Sequence, residues 1–220
     1  MLKTTHQNFL DKYAKPDDHY SFDEAPLAYI KSNKATPEIL HRALDNNQLS
    51  VRMAAVTHPK ATLEILHKAM HDEDSYVRDS AIRHPNATLE ILNKAMHDED
   101  SYVRESAVKH PKATPEMLHK AMKEEEWGMR HAAVTHPKAT PEILNKALDD
   151  DNHYVRQAAV QHPNATPEML HKALDNKDYF VRSAAVVHPN ANVETLNKAL
   201  TDENVLIRNN ATRRLNKRLN

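Results

Sequence analysis

The chain has 220 residues, 28% of them charged and 40% hydrophobic, with no cysteine and a single glycine. Without cysteine there is no disulfide, iron–sulfur cluster or thiolate zinc site, and no apolar run approaches the roughly 20 residues that span a bilayer. The formal net charge of −1 is uneven: residues 1–31 carry 4 basic and 5 acidic groups, residues 204–220 carry 5 basic and none acidic, and the rest hold 21 basic against 26 acidic, so an electrostatic nucleic-acid footprint is missing from most of the chain.

The opening "MLKTTHQNFLDKYAKPDD" lacks an apolar h-region, so no signal peptide is expected. Together with the missing cysteines this fits a cytoplasmic protein. Residues 1–31 hold 5 of the 11 aromatics, among them Phe9, Tyr13 and Tyr20. Residues 21–31, "SFDEAPLAYIK", align with a degenerate second helix of the repeat described next. Residues 1–31 are therefore expected to be an N-terminal capping segment that covers the exposed end of the first repeat.

From Ser32 to Arg213 the chain divides, without insertion, into seven repeats of equal length: 32–57, 58–83, 84–109, 110–135, 136–161, 162–187 and 188–213. In repeat 2, "HPKATLEILHKAMHDEDSYVRDSAIR", Thr62 is a good N-cap. Four repeats place Pro at the first helical position, as Pro37, Pro115, Pro141 and Pro167. A glutamate follows in the first turn, where the helix dipole favours an anion. Ile65, Leu66, Ala69 and Met70 form one apolar arc, which predicts helix A to about residue 71. After the acidic turn, whose last Asp or Asn can cap, Val77, Ala81 and Ile82 mark helix B. Pro85 lacks an amide hydrogen and disfavours helix at the residue before it, so helix B ends at His84.

A short helix pair cannot bury its apolar arc alone and must stack on its neighbours. The expected fold is all-α, a right-handed α-solenoid of seven two-helix repeats with a helical N-terminal cap. Its spine is the leucine at 40, 66, 92, 118, 144, 170 and 196, and a basic C-terminal tail follows at 214–220. At the last repeat Asn210 and Thr212 replace Ser/Ala and Val/Ile, as a repeat facing water requires.

One arginine recurs at the same helix B position, half-buried on a helical wheel, and so needs an acceptor. Six residues before each stands an Asp, Asn or Glu. This predicts a structural ladder in which each guanidinium bridges the acceptors of its own and an adjacent repeat. Its members are Asp72, Arg78, Asp98, Arg104, Glu124, Arg130, Asp150, Arg156, Arg182, Asp202 and Arg208.

The pattern "DxDxxVRxxA" resembles HEAT-like repeats, and "HPxATPExLxKAL" is similar to the variant leucine-rich repeats. The resemblance covers residues 32–213. It implies a superhelical array whose usual task is protein binding. Some HEAT-like proteins bind nucleic acid, and a few are DNA glycosylases. The iron–sulfur cluster associated with some variant leucine-rich repeats is impossible in a chain without cysteine.

The exposed face of helix A repeats a glutamate and a lysine or arginine four apart, which reads as a solvated, self-neutralised surface. The face of helix B varies. Tyr76, Asp79, Arg83, Tyr102, Glu105, Lys109, Trp127, His131, Tyr154, Gln157 and Phe180 are the candidate partner-binding residues, mixed polar groups beside aromatics. Free drift of surface positions is the competing account, and some of the tyrosines can pack between repeats instead. The fourth repeat breaks the pattern at Trp127-Gly128-Met129, a local kink or a binding hot spot.

The His-Pro pair at 58, 84, 110, 136, 162 and 188 falls at helix B C-termini. There imidazolium is favoured by the dipole, and neutral imidazole can bond a free carbonyl. A second column, His41, His67, His119 and His171, alternates with asparagine, a poor zinc ligand. His67 and His71 form an HxxxH pair without a third ligand. No metal site, cofactor or catalytic residue is expected. Sixteen histidines instead predict a change of binding or stability between pH 7 and 5.

No Gly-rich phosphate loop, nucleophile elbow or isolated acid pair is present. The leading expectation is a non-enzymatic scaffold that binds a protein. The alternative is nucleic-acid binding through Arg208, Arg213, Arg214, Lys217 and Arg218, and a glycosylase-like enzyme comes third.

Overall fold

The computed structural model describes residues 24–219. Among them it has fifteen α-helices and no strand. After α1 (Glu24–Ile30) come the A and B helices of each repeat in turn: α2 and α3 (Pro37–Ala43, Leu49–Thr57), α4 and α5 (Leu63–Ala69, Ser75–Arg83), α6 and α7 (Leu89–Ala95, Ser101–Lys109). They continue as α8 and α9 (Pro115–Ala121, Trp127–Thr135), α10 and α11 (Pro141–Ala147, His153–Gln161), α12 and α13 (Pro167–Ala173, Tyr179–Val187), and α14 and α15 (Val193–Ala199, Val205–Leu219). The chain forms two compact units, Met1–Ala113 and Thr114–Asn220.

Local chemistry sets the helix ends. Thr36, Thr62, Thr88, Thr114, Thr140 and Thr166 each accept the amide three residues on, and Asn192 does so in repeat 7. These bonds satisfy one of the amides a helix start leaves unpaired. Helix A of repeat 2 ends at Ala69, short of the residue 71 that its apolar arc predicts. There the amide of Met70 reaches Leu66 O at 3.1 Å and that of His71 reaches Lys68 O at 3.0 Å, which tightens the last turn and releases the chain into the acidic loop. Helix B starts on Asp74, Asp100, Asn152 or Asp178, whose carboxylate or amide oxygen accepts the amide two residues later. It stops at the His before Pro, which is extended: His84 has φ −66° and ψ 137°. No described residue has a positive φ, so these joints need no glycine.

Within each unit, helices B pack on the helices B of the next repeat: α3 on α5 and α5 on α7 in the first, α9 on α11, α11 on α13 and α13 on α15 in the second. The leucine spine fills the space between the layers, and Leu40, Leu66, Leu92, Leu118, Leu144, Leu170 and Leu196 are all 0% exposed. Each contributes about 1.5–3 kcal/mol by leaving water. At the N-terminal end α1 packs on α3 as a preceding helix B would. Phe9, Tyr13 and Tyr20, read as the rest of the cap, lie outside the described residues.

At the other end α15 runs on through residues 214–219, so the segment read as a tail continues the last helix. Thr212 is exposed and its hydroxyl donates to Arg208 O at 3.0 Å. The valines at the matching position of earlier repeats, Val134, Val160 and Val186, are fully buried.

Candidate functional site

The recurrent arginines are more deeply buried than the wheel predicts: Arg52, Arg78, Arg156 and Arg182 are 6–7% exposed. Arg52 Nε and Nη2 donate to Asp72 Oδ2 and Oδ1 at 2.9 and 3.1 Å, across to the next repeat. Its Nη1 donates to Asn46 O and Asn47 O at 3.1 and 3.3 Å in its own acidic turn. Arg78 repeats this on Asp98, Arg130 on Asp150, and Arg182 on Asp202. The acceptor within the repeat is therefore the backbone carbonyl six residues back and not the side chain there. That carboxylate serves the arginine of the preceding repeat and also accepts an amide of its own turn, as Asp72 Oδ1 accepts from Asp74 N at 3.0 Å.

Arg104 holds Asp98 O and Glu99 O through Nη1, Arg130 holds Glu124 O, and Arg208 holds Asp202 O and Glu203 O. The hydrogen bond from Arg78 to Asp98 raises the pKa of the guanidinium against the opposing effect of burial, and the same holds for Arg130 with Asp150 and Arg182 with Asp202. Burial pushes the Asp150 carboxyl up, but the bonds from Arg130 and Asn152 outweigh it and leave the carboxyl below its ordinary range. Where the carboxylate becomes Asn176, Arg156 keeps Asp150 O and Asp151 O, while its buried Nε has no partner.

The His-Pro histidines form a second ladder. His84 Nε2 lies 3.3 Å from His58 O, His162 Nε2 lies 3.2 Å from His136 O, and His188 Nε2 lies 3.2 Å from His162 O. In all six the Nδ1 accepts the backbone amide two residues on, at 3.0–3.1 Å. The neutral Nε2–H tautomer is the form that meets both bonds. Burial lowers the His188 pKa, partly opposed by the bond to the His162 carbonyl.

In repeats 2, 4, 6 and 7 the residue after His-Pro also reaches back. Lys60 Nζ donates to Asn33 O and Ala35 O, Lys112 Nζ to Pro85 O and Ala87 O, and Asn190 Nδ2 to Pro163 O and Ala165 O. Arg214 stands where an eighth repeat would put its histidine. Its Nη1 donates to His188 O at 2.6 Å and also to Val186 O, while Arg218 donates to Ala191 O at 2.6 Å. Arg208, Arg214 and Arg218 are thus engaged with carbonyls of the stack. Arg213 and Lys217 remain on an exposed polar face with Asn209, Thr212 and Asn216.

The helix A surface is neutralised mainly between repeats and not along each helix. Lys68 pairs with Asp45 at 2.7 Å, Lys172 with Asp149 at 2.7 Å and Lys198 with Asp175 at 2.8 Å. The glutamates Glu64 and Glu142 face His41 and His119 of the preceding repeat at 3.6 and 3.5 Å. Lys120 with Glu116 keeps the spacing of four. A lysine stem reaches across the shallow groove between adjacent helices A as readily as it folds along its own. His67 and His71 are drawn apart, His67 toward Glu90 and His71 onto Lys94 Nζ. Among the described residues no group of three or more His, Asp or Glu is placed to hold a metal ion, and no helix is long and apolar enough to cross a membrane.

The variable side chains of helix B lie along one surface in each unit. In the first, Tyr76 and Tyr102 are 59% and 46% exposed. Arg83 Nη2 donates to Tyr102 OH at 2.7 Å, with the guanidinium 5.6 Å from the ring centroid. Asp79 does not face outward: it is buried, with Oδ2 taken by Arg83 at 2.7 Å. Lys109 pairs with the half-buried Glu105. In the second unit Trp127, Tyr154 and Phe180 are 47%, 53% and 61% exposed. The Trp127 and Tyr154 ring centroids are 5.7 Å apart and tilted by 32°, and Trp127 meets His131 edge-on at 6.0 Å. His131, Tyr154 and Gln157 line a groove of about 340 Å³ with Thr135, Gln161 and Pro163. Leu206, which the sequence reading left out, is 56% exposed. It stands one full repeat after Phe180 in the same column, and that spacing was the signal.

A family model described as a HEAT repeat associated with sister chromatid cohesion matches residues 63–82, within repeat 2. No curated protein matches the chain. A solved structure titled as a leucine-rich repeat variant with a novel repetitive protein structural motif is similar over 91% of this chain and 89% of its own, at TM-score 0.55 and 20% identity. With its paired helices and the arginine and histidine ladders between them, the chain is by fold an α-solenoid of the HEAT-like, variant leucine-rich-repeat kind.

Proposed function

We propose that the protein is a non-enzymatic scaffold that binds a protein partner through the variable face of its helices B. The observation that carries this reading is the recurrence of a large exposed side chain at the start of helix B, as Tyr76, Tyr102, Tyr154 and Phe180, joined by Trp127. Buried positions repeat because packing dictates them. Exposed aromatics at a fixed period carry a solvation cost that a free surface has no reason to keep, and aromatic anchors dominate protein interfaces.

Nucleic-acid binding is the weaker reading, because three of the five C-terminal basic groups, Arg208, Arg214 and Arg218, donate to backbone carbonyls. A cytoplasmic setting fits a chain without cysteine. The test is affinity capture with the native chain and a Tyr102→Ala/Trp127→Ala variant, with identification of what co-purifies. Loss of a specific protein from the variant is expected. An identical set retained by both would overturn the assignment of the face.

A further inference from the structure

Within the second compact unit one rung of the arginine ladder is incomplete. Arg52, Arg78, Arg130 and Arg182 each meet two carboxylates of the next repeat. An aspartate takes Nε. The acid that follows it, Glu73, Glu99, Asp151 or Glu203, lies 2.5–3.7 Å from Nη2. The side chains of these four acids are 82–89% exposed, so the outer edge of a buried guanidinium is within reach of a group standing in solvent.

Repeat 6 puts Asn176 and Lys177 at these two positions. Asn176 Oδ1 accepts the Asp178 amide at 3.0 Å, which leaves Arg156 the Nδ2 end, a donor like itself. Arg156 is 7% exposed and its Nε has no partner. Its Nη2 lies 3.7 Å from Asp178 Oδ2, and Asp178 is already the cap of the Phe180 amide at 2.8 Å. The Lys177 ammonium is exposed, with no partner among the described residues. The other acids of these turns are committed, Asp151 to Arg130, Asp175 to Lys198 and Glu203 to Arg182. Two cations therefore share one carboxylate at long range. A buried cation without its counter-charge is costly, and a guanidinium beside an ammonium offers charge-assisted bonds to an incoming oxyanion. A carboxylate on a side chain fits the place, because that is the group the complete rungs put there.

Building on the scaffold reading above, we infer that the edge formed by Arg156 and Lys177 binds a glutamate or aspartate side chain of the partner protein, which completes the rung from outside.

The full chain is titrated into a short fluorescein-labelled polyglutamate peptide at fixed ionic strength, and the anisotropy is followed. The expected result is saturable binding, weakened about tenfold or more by Asn176→Asp and by Lys177→Ala, the usual scale for an interface anchor. Asn176→Asp fills the rung from within and should raise Tm, so its loss of binding is not a loss of fold. Two controls should leave the affinity unchanged. Gln161→Glu alters the charge of the same unit by the same amount, and Arg213→Ala/Lys217→Ala removes the exposed basic pair of α15. No saturable binding, binding that survives Asn176→Asp, or an equal loss in either control overturns the inference. So does acetate binding as tightly as the peptide, or preferential binding of inorganic phosphate or a single-stranded DNA oligonucleotide. If the peptide fails while a partner captured by the native chain is still lost from Tyr102→Ala/Trp127→Ala, only this edge falls; if capture is also unaffected by that variant, the face assignment falls with it.

Discussion

The guanidinium of Arg78 is held on three sides by two successive repeats. Nε and Nη2 donate to Asp98 at 2.8 Å each, and Nη1 donates to Asp72 O and Glu73 O at 2.8 and 3.2 Å. Asp98 in turn accepts the Asp100 amide at 3.0 Å. One carboxylate therefore fixes the neighbouring repeat and shapes its own turn. Asp98→Ala leaves the buried cation only the exposed Glu99, 3.7 Å away, and is expected to cost about 3–5 kcal/mol. Asp98→Asn should cost less, because it keeps the amide bond to residue 100 as Asn176 does for Asp178 at 3.0 Å. Chemical denaturation of both variants checks the order.

The same comparison predicts a stabilising change. Arg156 meets Asn176 at the position where Arg52, Arg78, Arg130 and Arg182 meet an aspartate; its Nη2 lies 3.7 Å from Asp178, and its Nε is buried without a partner. Asn176→Asp supplies the missing bidentate acceptor in a site already shaped for it. A gain of about 1–3 kcal/mol is expected, the worth of hydrogen bonds to a charged group, read as a rise in Tm. A lower Tm would mean that the cost of desolvating the new carboxylate outweighs its bonds.

The periodicity carried the repeat boundaries, the threonine caps, the proline stops and the leucine spine, because each is local or depends on one residue type at one phase. It did not carry the arginine's acceptor. The carboxylate six residues before Arg78 is Asp72, and Asp98 holds the same phase in the next repeat. In a strictly periodic chain a carboxylate before the arginine always comes with another one full period later, so sequence spacing cannot tell a bond within a repeat from one between repeats. The same degeneracy hid the pairing of Lys68 with Asp45, since Glu64 stood nearer along the chain. Asp79 was misplaced for a different reason. Its position varies, but Arg83 folds the carboxylate against the stack.

Histidine chemistry makes acid the destabilising direction. The folded pKa of His188 lies below its ordinary value, through burial first, with Arg214 and His162 opposing further charge. Below about pH 6.5, the ordinary histidine value, the unfolded chain therefore binds more protons than the folded one. This contribution to stability is whole above that pH and is lost as pH falls toward the folded pKa. Tm should drop between pH 7 and 5. His188→Gln keeps a donor toward His162 O but does not titrate, so it should show a smaller drop. An equal drop in the variant would assign the effect to other groups.

Leu118 is completely buried in α8, so Leu118→Ala should cost about 2–5 kcal/mol from lost transfer energy and the cavity left behind. At about 2–4 °C per kcal/mol for a chain of this size, thermal melting resolves it easily. An unmoved transition would contradict the register of the whole stack.

Arg214 ends the histidine ladder by another chemistry. The His58, His136 and His162 carbonyls are each offered to the histidine of the following repeat, and one repeat after His188 position 214 holds no histidine. Arg214, one repeat on, donates to His188 O and Val186 O, and its own pKa is lowered by burial and by Arg218. A guanidinium suits the end of the stack because it satisfies two carbonyls while its charge stays near water. Arg214→Ala should therefore destabilise the chain by about 1–3 kcal/mol, the penalty of orphaned buried acceptors, and hydrogen exchange should rise first in α13 and α15, which pack together there. Arg213→Ala, an exposed neighbour of the same charge, should leave stability within about 0.5 kcal/mol of the native chain. The opposite pattern, with stability unchanged in both variants and salt-dependent binding to DNA or RNA lost in both, would return these arginines to the phosphate-binding role that their carbonyl bonds argue against.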